Sequence, residues 1–242
     1  MRKYDAKVGT AARVEFGVDL SEGLKAFPQT AALEPPLTTV NEALDAAFEV
    51  RRGKVKLLAR VRATLRTSEY LAEQELRTFS RAVEVADGGR RGRLHGRLFP
   101  DGLVAALEPR RAQQVRVLAV LIEGVQNVAG SDVESLRTQW LPRLQQAREQ
   151  LDRRVQEYTA AFAACQEAFR AELRLRLDHE RIVDQLIGQV RATFPKDPAR
   201  QNAVFPVASR RPVRDEDVAG DSVPASAPVP TTSPASPAAP IA

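Results

Sequence analysis

The sequence predicts an all-α protein: an elongated helical bundle or hairpin with two long amphipathic helices, a shorter middle helix and a disordered C-terminal tail. Three observations carry this. No proline interrupts the chain between Pro36 and Pro100, and only Pro142 interrupts it between Pro109 and Pro195. Apolar residues in both stretches recur in steps of four and three, the spacing that draws one stripe along a helix. Aromatic residues make up only 5% of the 242 residues, so the core must rest on Leu, Val and Ala, which suit helix packing better than a sheet.

The first 36 residues read as an extended N-terminal arm. Val14-Glu15-Phe16-Gly17-Val18-Asp19-Leu20 alternates apolar and polar side chains as a strand does. A helical turn near Ser21 to Phe27 follows, and Pro28, Pro35 and Pro36 close the arm. The helical domain is expected over 37–203. Thr38 or Thr39 caps its first helix, with Glu42 three residues beyond Thr39 completing a capping box. The stripe then runs Leu44, Phe48, Arg51, Val55, Leu58, Arg62, Leu65, Glu69, Ala72, Leu76, Phe79, Val83. Its period is that of a heptad seam broken by three charged residues. Gly88-Gly89 ends the helix, because glycine takes the left-handed cap conformation freely. Gly53 is a place for an early bend.

A Gly- and Arg-rich loop is expected from Gly88 to Gly102, then a helical turn over Asp101 to Leu107. Pro109 starts the shorter helix, which carries Val115, Leu118, Ala119, Ile122 and Val125. Ser131 and Glu134 form a second capping box. The second long stripe runs Leu144, Arg148, Leu151, Val155, Tyr158, Phe162, Cys165, Phe169, then shifts phase through Leu173 and Leu177 to Val183, Ile187, Val190 and Phe194. Pro142 is the expected kink, since it lacks an N–H and crowds the preceding turn. Residues 204–242 form the Pro/Ala/Ser-rich tail. Its last 20 or so residues carry no charge, and such a segment buries too little surface to offset its ordering entropy.

Enzyme chemistry finds no footing. The chain has two histidines, and Arg176 occupies the place where a Glu-x-x-His metal step before His179 needs an acid. Cys165 lies on an apolar stripe as a small hydrophobe. No phosphate-cradling glycine loop and no nucleophile elbow occurs. No catalytic residue, metal or cofactor is therefore assigned. The 36 basic against 31 acidic residues give a net charge of +5, far from a polycationic nucleic-acid binder. Arg greatly outnumbers Lys, which we read as the coding bias of a GC-rich bacterial genome. One cysteine and no apolar leader point to the cytoplasm, and the longest apolar run, Val117 to Ile122, is too short to cross a membrane.

The expected function is a non-catalytic interaction or scaffold protein acting through helix faces on a protein partner or on further copies of itself. The alternative is a nucleic-acid or anionic-surface binder, possible but not favoured. It would use Arg52, Lys56 and Arg60, which share a helix face, together with Arg90, Arg91 and Arg93 in the glycine loop. Arg51, Arg62 and Glu69 stand at seam positions, where a charge costs stability unless paired and so marks a helix interface. A Pro-x-x-Pro pattern at 234–240 arises easily in so proline-rich a segment.

Overall fold

The computed structural model describes residues 4–5, 7–128 and 131–205. Among them every regular element is helical: α1 (Thr10–Lys25), a 3₁₀ turn (Ala31–Leu33), α2 (Glu34–Ala86), α3 (Arg93–Leu98), α4 (Gly102–Leu107), α5 (Ala112–Asn127), α6 (Ser131–Thr193) and α7 (Pro198–Val204). The tail beyond Phe205 lies outside the described residues.

α2 and α6 form an antiparallel hairpin. Trp140, near the start of α6, packs on Phe79, near the end of α2, at 5.6 Å between ring centroids. Arg143 reaches Glu75 at 2.9 Å, and much further along both helices Arg51 reaches Glu172 at 2.5 Å. At 1.5 Å per residue the 53 residues of α2 span about 80 Å. A row of buried side chains recurs at every seventh position of α2: Leu44, Arg51, Leu58, Leu65, Ala72 and Phe79. α6 runs without interruption through Pro142.

Two apolar clusters sit at opposite ends of the hairpin. One joins Leu76, Phe79 and Val83 of α2 to Leu118, Leu121, Ile122 and Val125 of α5 and to Trp140 and Leu144 of α6. The other joins Phe16, Leu20 and Leu24 of α1 to Leu37 and Val40 of α2, Val183, Leu186 and Val190 of α6, and Val204 and Phe205. Fully burying one such aliphatic side chain stabilises by about 1.5–3 kcal/mol.

Several local expectations need correction. The first 36 residues are not an extended arm: Val14 to Leu20 lies inside α1. Alternation over seven residues is a weak signal, and the buried set Arg13, Phe16, Gly17, Leu20, Leu24 has the three-four spacing of a helix face. α2 begins at Glu34 rather than beside Thr39, because Pro35 and Pro36 fit the first turn, where no N–H is needed. The Thr38 hydroxyl instead donates to Glu34, whose carboxyl the Thr38, Ser21 and Lys25 contacts hold below its ordinary pKa, against its burial. Part of the expected glycine loop is α3. Asp87 accepts the backbone N–H groups of Gly92, Leu94 and His95, at 3.1, 3.1 and 2.6 Å. Burial alone would raise the Asp87 pKa, but these bonds outweigh it and hold the group low. The tail does not begin at 204, since Val204 and Phe205 are buried in the core. Gly88 and Gly89 do end α2, both at φ +84°.

Candidate functional site

Between the two apolar clusters lies a buried polar belt, and α6 supplies its centre. The seam row Leu151, Tyr158, Cys165 continues by steps of seven to Glu172, His179 and Leu186. Glu172 and His179 are completely buried. The stripe read from the sequence instead followed Leu173 and Leu177, which are 42% and 60% exposed. The apolar residues therefore leave the seam where the charged ones enter it.

Glu172 is held from three elements. Arg51 of α2 lies 2.5 Å from Oε2, and Arg176, one turn on along α6, donates to Oε1 at 2.8 Å. The Thr10 hydroxyl, in the first turn of α1, donates to the same Oε1. Arg176 Nε also donates to Thr10 Oγ1 at 2.6 Å. Two guanidinium groups on one carboxylate satisfy its lone pairs and offset its desolvation. The Arg51 guanidinium also sits between the rings of Phe48 and Phe169, 5.8 Å from each centroid.

His179 organises the N-terminal end. Its Nδ1 lies 2.8 Å from the Tyr4 hydroxyl. Arg13 donates to the Tyr4 oxygen at 3.3 Å, so the Tyr4 proton goes to Nδ1 and the neutral ring carries its own proton on Nε2. Arg13 also donates to the Val8 and Arg176 carbonyls and lies 3.6 Å from Glu180. Burial pushes the His179 pKa down to about 4, Arg13 pushes the same way and Glu180 opposes them. Asn41 of α2 donates to the Val14 carbonyl at 3.2 Å, close against Gly17, where a side chain would strike the Asn41 amide.

The belt sets two guanidinium groups on one buried carboxylate and leaves His179 Nε2 buried without a hydrogen-bond partner among the described residues. Among the described residues no cluster of His, Cys, Asp or Glu has a metal-holding arrangement. An open depression on α6 is lined by Leu177, Glu180, Arg181, Asp184 and Gln185.

The seam charges and the basic residues fall in different places. Arg51 is buried in the belt. Arg62 is exposed. Glu69 is half-buried and accepts the backbone N–H of Arg111, just ahead of α5, at 3.1 Å. Arg52, Lys56 and Arg60 are exposed along the middle of α2, with Arg52 on Glu49 at 2.6 Å. Arg90, Arg91 and Arg93 lie beyond the end of α2, with Arg91 on Glu84 at 2.9 Å. Arg91 sits at the level of Glu84, so α2 separates the two groups by about 36 Å from Arg60, at 1.5 Å per residue. Reading the sequence missed Tyr4, Thr10, Arg13, Glu172 and His179. The seven-residue step from Cys165 was the available signal for the last two. The first three needed the docking of α1.

No protein-family model matches this chain, and neither a curated protein nor a solved structure matches it. No described helix is long and apolar enough to cross a membrane.

Proposed function

We propose that this chain is a non-catalytic interaction or scaffold protein that works through helix faces. The observation that carries this reading is the middle of the hairpin. There, between the stretches that α1 and α5 contact, Val55 and Leu173 remain 42% exposed, and Val50 and Leu57, on the other flank of α2, 45–55% exposed. Exposed apolar side chains on both flanks of an otherwise polar helix pair mark an interaction site. The buried ion pair of Arg51 and Glu172 joins α2 to α6 and supports the same reading. The lone cysteine, in no disulfide, fits a cytoplasmic setting.

The test is affinity capture with the full chain beside a Val55→Asp/Leu173→Asp variant, after nuclease treatment and at high salt. Under this reading a protein is retained by the first and lost by the second, at unchanged helicity. Identical capture by both, or none by either, overturns it.

One observation favours a second reading. From Val50 to Ser68 α2 carries no acid and, besides the buried Arg51, six basic residues, a run able to meet phosphates of a nucleic acid or an anionic surface. A steep loss of binding to nonspecific DNA or anionic vesicles with rising salt, weakened by neutralising Arg90, Arg91 and Arg93, would support it.

A further inference from the structure

The hairpin has a third layer of helices on one side, and that layer has a gap. Residues seven apart on these helices share a row, and the contacts say which rows face which way. On α2 the row Asn41, Phe48, Val55, Arg62, Glu69 touches α1 at Asn41 and the start of α5 at Glu69. The neighbouring row Arg52, Ala59, Arg66, Glu73 turns to the same side, since Glu73 pairs with Arg110. On α6 the row Val155, Phe162, Phe169, Arg176 touches α1 through Thr10. The row Thr159, Gln166, Leu173, Glu180 meets Arg13 of α1 at Glu180. Phe48 and Phe169 flank the same Arg51 guanidinium, so the α2 and α6 rows share one side of the hairpin.

α1 therefore covers this side up to Thr10, at the level of Glu172. α5 covers it from Arg111, whose guanidinium sits 4.7 Å over the Tyr158 ring. From Tyr158 to Leu173 no third helix is present among the described residues. Fifteen steps at 1.5 Å make this opening about 22 Å long, the length of a four-turn helix. Its floor is apolar: Val55 is 42% exposed, and Phe162, Cys165 and Phe169 are half-buried. Its α2 rim is basic, with Arg52, Arg62 and Arg66 exposed and no acid from Val50 to Ser68. The facing α6 rows hold only uncharged side chains over this span.

We propose that this gap is the docking site for an acidic amphipathic helix of about four turns from a partner protein, seated in line with α1 and α5. This rests on the interaction reading above and names the partner's chemistry. Charge, length and the apolar floor decide among the candidates. A second copy meeting this face with its own would set one Arg52–Arg66 rim against another, and like charges repel. The chain's own residues 206–242 have no proline-free run longer than 213–223, too short for four turns. A nucleic acid would leave the apolar floor unfilled.

The test places a photoreactive benzophenone at Val55→Cys in a Cys165→Ala background of the full chain and irradiates it in native lysate. The expected product is a cross-link to a helix with apolar residues at three-four spacing and an excess of Asp and Glu. An Arg62→Glu/Arg66→Glu variant, both positions exposed, keeps its helicity and loses the product at least fivefold. Cross-linking to residues 206–242, to a second copy, to nucleic acid or to a basic segment overturns the proposal. A probe at Leu71→Cys, on the other flank of α2, separates the two failures. If it cross-links a protein and the Val55 probe does not, the gap is not the site while the interaction reading stands. If neither does, both fall.

Discussion

The two ends of the hairpin are closed by different physics. At the α5 end, Phe79, Trp140, Leu118 and Val125 pack in a cluster whose buried polar exceptions are few, Ser80, His95 and Gln114 among them. At the α1 end, a comparable apolar cluster is bordered by Tyr4, Thr10, Arg13, Arg51, Glu172 and His179, all buried and mutually bonded. Apolar packing is forgiving about register, because a methyl group has many acceptable neighbours. A carboxylate shared by two guanidinium groups and a hydroxyl has one acceptable placement. The α5 end supplies adhesion, and the α1 end adds alignment of α1, α2 and α6.

That contrast can be broken most forcefully at its two centres. Phe79→Ala should cost about 3–5 kcal/mol through lost burial and a cavity. Glu172→Ala should cost a similar 3–5 kcal/mol for a different reason, since it leaves Arg51 and Arg176 without their counter-charge. Denaturant unfolding reads both, and a Glu172→Ala loss below about 1 kcal/mol would sink the claim that the belt matters for stability.

Acid should separate the ends next. His179 is neutral when folded, with a pKa near 4 against an ordinary 6.5. The unfolded chain therefore binds this proton first, and stability must fall as pH drops from about 6.5 towards 4, then level off below it. The whole step is of the order of 3 kcal/mol, since each pKa unit is worth about 1.4 kcal/mol. The difference between the wild type and His179→Gln, followed by thermal melts across that window, isolates it. Equal pH slopes in the two proteins would rule it out.

Smaller effects sharpen the picture. Gly17→Ala puts a methyl group against Asn41 and should cost about 1–3 kcal/mol by overpacking. Hydrogen exchange should show the loss confined to α1 and its neighbours, with α5 still protected. Arg62→Ala, on an exposed side chain in the proposed gap, should change stability by less than about 0.5 kcal/mol while weakening partner cross-linking. A large stability loss there would mean that Arg62 serves the fold instead.

The sequence by itself determined the helical class, both long helices, the shorter α5 and the glycine stop after α2. These are properties of local period and cap chemistry, which a chain carries wherever it folds. Only the tertiary structure decided which residues fill the seam of α6. Leu173 and Leu177 look like core by hydrophobicity, and Glu172 and His179 look like surface. The pairing reverses this, because Arg51 lies 121 positions away in the sequence and Thr10 lies 162 away. A buried charge is permitted only by its partner, and no local pattern records a partner so distant. The same holds for α1, whose short alternation resembled a strand until its face met α2 and α6. The gap between α1 and α5 is likewise invisible in the sequence, since it is defined by where two separate helices stop.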